Sequence, residues 1–214
     1  MLIQRLFVVF VFSGLLSFTT LVAQTSKRDS LKSLINSYQK QDSLRLQLLL
    51  QLAEEEKGAM DASYKSLLNE GLTLSQDLRS PSSEGKFRRL LMRYYVFNQA
   101  IENAIDEGLK ASRIFDSLDI QSEKLLTNAD LIPIYSSYGY LEKALNLSLK
   151  SLELVENEPE SPSKARYYFG AANAYKALKK YDSALSYYGT ALRISENFDF
   201  KPGTMVINSN IGQI

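Results

Sequence analysis

Few kinds of residue in this chain can do chemistry. It contains no Cys and no His, which removes thiol nucleophiles, imidazole bases, disulfides and the usual zinc donor sets. It also excludes a lipid-anchored Cys just after a leader. No Gly-rich loop able to cradle a phosphate occurs. What remains is carboxylate and guanidinium chemistry. Two carboxylates acting as acid and base need a shared, partly dry cleft that separates their pKa values. The acidic residues here scatter over helix positions, and the run Glu54-Glu55-Glu56 reads as a solvated helix face, not a metal site. An acid–base hydrolase is therefore disfavoured, and the expectation is no enzyme, no cofactor and no metal. Arg89 and Arg93 are better placed. They stand four residues apart, hence on one helical face, and Arg can hold a carboxylate through two parallel hydrogen bonds. The same pair also suits an ordinary solvated surface.

Charge points away from nucleic acid. The 214 residues hold 25 Lys and Arg against 24 Asp and Glu, whereas a nucleic-acid binder usually carries a strong basic excess. Ten Gly and five Pro are as few as a mostly helical chain requires.

Residues 1–23 read MLIQRLFVVFVFSGLLSFTTLVA. One Arg near the start, an apolar run from Leu6 to Leu16 and a softer stretch to Ala23 have the layout of a secretory signal peptide. Leu21 is larger than the usual small residue at the third position before a cut. The run is also about long enough to span a bilayer, so an uncleaved anchor is the alternative. Both place the remainder outside the cytoplasm. Without the single charge of that stretch, Arg5, basic and acidic residues number 24 each.

The elements that must position Arg89 and Arg93 follow a forty-residue period. Tyr95, Tyr135 and Tyr175 recur at that interval, each followed nine residues later by Ala104, Ala144 and Ala184, then by Ala111, Ser151 and Ala191. The frame runs back more weakly through Leu52, Tyr64, Gly71, Leu72 and Leu74, with Glu55 in the Tyr slot, and forward to Asn210-Ile211-Gly212. It gives units 45–84, 85–124, 125–164 and 165–204 and an incomplete fifth, 205–214. A lead-in over 24–44 holds a short amphipathic helix with Leu31, Leu34, Ile35 and Tyr38, capped by Asp29-Ser30. Asp42 or Ser43 caps the helix that follows.

Each unit reads as helix, turn, helix. In the fourth, Tyr168, Ala171, Ala172 and Tyr175 make one helical stripe, Lys179-Lys180 the turn, and Tyr181, Ala184, Leu185, Tyr188, Ala191 and Leu192 a second stripe. Small residues let the two helices approach. The Tyr pairs Tyr94-Tyr95, Tyr167-Tyr168 and Tyr187-Tyr188 read as core, not as a stacking site. Such a hairpin cannot cover both apolar faces alone and must stack on its neighbours. Ser80-Pro81, Pro159 to Pro162 and Pro202-Gly203 fall near unit ends, with Ser161 as an N-cap and Pro162 at the first helical position. Pro133 lies inside the first helix of the third unit, where a kink is expected, a late start near Asp130 being the alternative.

These residues resemble the tetratricopeptide repeat over about three quarters of the chain. The fourth unit carries the resemblance through Ala172, Tyr175, Ala184, Tyr188 and Ala191, although Tyr168 replaces the usual Trp. The family period is about 34 residues, so forty implies longer helices. The resemblance implies an all-α, right-handed superhelical solenoid of antiparallel helix pairs whose inner wall is lined by the first helices. It places on that wall Lys86, Arg89, Arg93 and Val96 in unit two, Leu126, Ala129, Pro133 and Ser136 in unit three, and Arg166, Phe169, Asn173 and Lys176 in unit four. Lys86, Arg89, Arg93, Arg166, Asn173 and Lys176 are the candidate contacts for a protein or peptide partner, suited to an acidic segment or a C-terminal carboxylate. The family's carboxylate clamp needs Lys where Phe169 stands, which counts against that clamp. A signal peptide, then DSLKSLINSYQKQDSLRLQLLLQLAEE, then forty-residue units is similar to the sensor halves of bacterial envelope proteins of Bacteroidetes type. In those, a membrane helix and a histidine kinase or a DNA-binding module often follow. The resemblance implies an exported, periplasmic or membrane-attached scaffold, with truncation before such a module. A structural subunit of an envelope secretion or uptake complex is the alternative.

Overall fold

The computed structural model describes residues 27–214. The proposed leader lies outside them. Among the described residues every regular element is an α-helix: α1 (27–37), α2 (Ser43–Glu55), α3 (Ala62–Asp77), α4 (Pro81–Phe97), α5 (Ile101–Ser117), α6 (Gln121–Ser137), α7 (Leu141–Leu154), α8 (Pro162–Ala177), α9 (Tyr181–Asn197) and α10 (Lys201–Ile211). No helix among the described residues is long and apolar enough to cross a membrane. The described residues form two compact units, 27–90 and 91–214.

In the first unit, α1 buries Leu31 and Ile35 and leaves Leu34 exposed. Asp29 and Ser30 lie within this helix and not ahead of it, since it already includes residue 27. Arg45 is buried and does the work of a helix C-cap. Its Nη1 donates to the carbonyls of Ile35 (3.0 Å) and Tyr38 (2.6 Å), while Nε and Nη2 reach Glu70 Oε1 on α3. The last carbonyls of a helix lack partners of their own, and here one guanidinium supplies them. Asp42 caps α2 by accepting from the amides of Leu44 and Arg45, and Asp61 caps α3 by accepting from Tyr64. A Cβ on Gly71 would sit 2.1 Å from Cζ of Phe87, so α3 and α4 approach across a position with no side chain.

In the second unit the repeat is visible residue by residue. On the second helix of each hairpin, Ala104, Ala144 and Ala184 are wholly buried, as are Ala111, Ser151 and Ala191. The intervening slots hold Gly108, Ser148 and Tyr188, all buried. These helices bury one stripe and expose the rest. The first helices bury more of their circumference: α6 hides Leu125, Thr127, Asn128, Ala129, Leu131, Ile132, Ile134 and Tyr135. That follows from having neighbours on several sides, since α6 touches α5, α7 and α8.

Helix ends recur every twenty residues. Ser80, Ala100, Ile120, Tyr140, Lys180 and Phe200 each donate an amide hydrogen bond five residues back, to Ser75, Tyr95, Phe115, Tyr135, Tyr175 and Ser195. The residue before each donor has a left-handed backbone: Arg79, Gln99, Asp119, Gly139, Lys179 and Asp199. This is the Schellman ending. Tyr95, Tyr135 and Tyr175 therefore have equivalent backbone roles. The turn after α7 departs from the pattern; it runs longer, through Pro159, to Ser161, whose Oγ accepts from the amide of Lys164 and caps α8 with Pro162 in its first turn.

Two expectations need correction. The first helices begin at Pro81, Gln121, Pro162 and Lys201, so the frame starting at 85, 125, 165 and 205 cuts into each of them. Proline is tolerated in a first turn, where no intrahelical N–H bond is lost; Pro162 opens α8 behind Ser161 as expected, and Pro81 and Pro202, placed near unit ends by the frame, open helices too. Of the two alternatives at Pro133, the late start near Asp130 does not occur. The helix runs from Gln121 to Ser137 with Pro133 inside it.

Candidate functional site

Within the second unit a pocket of about 380 Å3 opens where α6, α8 and α10 come together. Helix α6 contributes Ala129, Ile132, Pro133 and Ser136, and α8 contributes Pro162, Ala165, Arg166, Phe169, Gly170 and Asn173. Six of these ten stand at wall positions assigned from the repeat. The remaining side is built by Phe200, Pro202, Gly203, Val206 and Ile207. A Cβ on Gly203 would meet the Phe200 ring at 2.4 Å, so glycine is what lets that ring lie over the start of α10. The walls are chiefly carbon. Phe200 and Val206 remain about half exposed.

The charged and polar side chains of this region are committed to other parts of the chain. Arg166 Nη2 donates to the carbonyl of Ala129 (3.0 Å) and to Asp130 Oδ1 (3.3 Å). Pro133 has no N–H, so the Ala129 carbonyl four residues earlier lacks its helical donor; Arg166 replaces it. Asn173 Oδ1 accepts from the Tyr188 hydroxyl (2.5 Å) and from Asn210 Nδ2 (3.1 Å), linking α8, α9 and α10. Lys176 Nζ donates to Gln213 Oε1 (2.7 Å) and to the Asn210 carbonyl (3.4 Å). Ser136 differs: its Oγ is buried and has no hydrogen-bond partner among the described residues. Arg93, on α4, is exposed. Lys86 and Arg89 are half-buried and belong to the first unit. The structure thus brings Arg166, Asn173 and Lys176 together along α8.

Burial governs the tyrosines behind the pocket. Tyr167 donates to the Leu125 carbonyl (2.9 Å), and burial pushes its phenol up to about 12. Burial likewise raises Tyr188 to about 12. Neither ionises near neutral pH, which suits packing and hydrogen-bond donation. Among the described residues no cluster of three or more Asp and Glu is arranged to hold a metal ion.

Residues missed by sequence reasoning are the apolar ones of α10, above all Phe200 and Val206. The forty-residue spacing from Arg166 to Val206 was the available signal, but the fifth unit was read only through Asn210-Ile211-Gly212.

Comparison with known proteins agrees with this architecture. A tetratricopeptide repeat family model matches residues 139–197, a stretch holding α7, α8 and α9 whole. No curated protein matches the sequence. Among solved structures, the apo form of RapI is similar at a TM-score of 0.77 with 14% identity, covering 92% of this chain and 72% of that one. A putative kinesin light chain of Podosopora anserina with nearly identical TPR-like repeats gives 0.66 at 18% identity, over 82% and 88%. BtubC (BKLC) from P. vanneervenii gives 0.66 at 19%, over 82% and 72%. The described chain therefore has an all-α, TPR-like fold, with its match to the tetratricopeptide repeat model confined to residues 139–197.

Proposed function

We propose that this chain is a non-catalytic scaffold that holds a protein or peptide partner in the groove of its second unit. The observation that carries the reading is the pocket between α6, α8 and α10, built from wall positions of successive repeats. Asn173 supports it further: with both bonds to its Oδ1 made inside the chain, its Nδ2 is the donor left for the backbone of a bound segment. The exposed Arg93 and the ammonium of Lys176 favour an acidic segment. Lys86 and Arg89 are proposed partner contacts of the first unit, and Arg166 acts from the rim of the pocket. Titration of labelled acidic peptides against the intact chain tests this, with an Arg89→Glu, Arg93→Glu double variant and with Lys176→Glu. The reading predicts weaker binding in each; equal binding in all removes the acidic-segment part.

We further propose that the scaffold works outside the cytoplasm, as the sensor portion of a longer bacterial signal-transduction protein. The residues 1–23 and the forty-residue units after them support this. A reporter enzyme active only after export, fused behind Ile214, should be active. Deleting residues 1–23 should silence it. The reading frame downstream of Ile214 separates the sensor reading from the alternative of an envelope-complex subunit: a membrane helix followed by a kinase or DNA-binding pattern supports the sensor.

A further inference from the structure

Resting on the scaffold reading, we infer that the pocket between α6, α8 and α10 selects a large uncharged side chain with a polar tip, the chemistry of tyrosine, from the partner segment. Three observations carry this. The walls are apolar, contributed by Ile132, Pro133, Phe169, Phe200 and Val206, and a volume of about 380 Å3 falls in the lower part of the range of natural ligand sites. Among the described residues the only cation lining the pocket, Arg166, is paired with Asp130 and bonded to the Ala129 carbonyl. The pocket therefore presents no net charge to a carboxylate, and an ionised group would be desolvated there without a counter-ion. Its guanidinium plane at the rim instead suits stacking on an aromatic face. Finally, the buried Ser136 Oγ has no partner among the described residues. A buried hydroxyl without a partner is costly; turned about its Cα–Cβ bond toward the pocket, it would be satisfied by a phenol as donor or acceptor. Charges along the partner segment are read elsewhere; this pocket reads one side chain.

The test uses random twelve-residue peptides displayed against the full chain and against two variants. Val206→Trp fills the pocket from a half-exposed position on α10, where a fold defect is not expected. Ser136→Ala removes the hydroxyl. Circular dichroism confirms that each variant is folded. The inference predicts that peptides enriched on the parent chain share one Tyr, that Val206→Trp weakens them at least about tenfold, and that Ser136→Ala lowers the Tyr-over-Phe preference about fivefold. Enriched peptides that bind folded Val206→Trp unchanged would overturn the pocket assignment while leaving the scaffold reading intact. A Tyr preference unmoved by Ser136→Ala would overturn the role of the hydroxyl. A failure to enrich any peptide would count against the scaffold reading itself, and this inference would fall with it.

Discussion

Arg166 Nη2 on α8 lies 3.0 Å from the carbonyl oxygen of Ala129 on α6, the acceptor that Pro133 deprives of its helical N–H. One side chain thus repairs a defect in the neighbouring helix and ties two first helices of successive hairpins together. The proline is tolerated because its cost is met from outside the helix.

This link has a measurable coupling. Arg166→Met should destabilise the chain by about 1–2 kcal/mol, chiefly by stranding a carbonyl. The half-exposed ion pair with Asp130 contributes little. In a Pro133→Ala background the amide of residue 133 returns to the Ala129 carbonyl, and the same substitution should cost about half as much. A double-mutant cycle in urea reads the difference. Equal costs in both backgrounds would mean that Arg166 does not serve the proline.

The left-handed helix ends are improvable. Gln99 has a φ of 58°, a conformation that costs a non-glycine residue about 1 kcal/mol or more. Gln99→Gly should therefore stabilise by about 0.5–1 kcal/mol. Gly139→Ala should destabilise by a similar amount, through the backbone alone, because an added Cβ meets nothing within 4 Å. Thermal denaturation of the two variants should move in opposite directions.

Alkaline pH should weaken the fold in a defined window. Burial raises Tyr167 and Tyr188 from the ordinary value of 10.0 to about 12. The folded state thus favours the neutral phenol. That contribution is whole below pH 10 and is lost as pH climbs toward 12, by up to about 2 kcal/mol for each residue. Urea midpoints should hold up to about pH 9 and fall above 10. A Tyr167→Phe, Tyr188→Phe double variant should show a shallower fall.

Asn173 should matter for α10. Asn173→Ala removes the acceptor shared by Tyr188 and Asn210 and strands a buried hydroxyl, costing about 1–3 kcal/mol. Amide exchange in Lys201–Ile211 should accelerate more than in α7. Adding Tyr188→Phe should recover part of the loss, since the stranded hydroxyl is then gone.

Much of this was legible in the sequence because packing residues repeat. Ala104, Ala144 and Ala184 had to be small for helices to approach, and they are wholly buried. Asp42, Ser161 and Pro162 announced helix starts through chemistry that acts locally. Most helix ends were less legible, although Lys179-Lys180 marked one turn. Gly139 is the one glycine among the left-handed residues at hairpin turns; Gln99, Asp119 and Lys179 adopt that conformation without glycine. The bonding of the charged side chains on α8 was not legible. Nothing local says that Arg166 answers a proline more than thirty residues earlier, or that Lys176 reaches Gln213. The apolar side supplied by Phe200 and Val206 was missed because the fifth unit was aligned on its Asn and Gly, not on its wall positions.

The central claim is that α6 and α8, equivalent helices of successive hairpins, lie side by side and frame the groove. Nuclear Overhauser contacts in a methyl-labelled sample measure it directly. A Cβ placed on Gly170 would lie 2.4 Å from Ile132 Cγ2, so the Gly170 α-protons should give a strong contact to the Ile132 γ2 methyl. A folded, assigned sample lacking that contact would contradict the account.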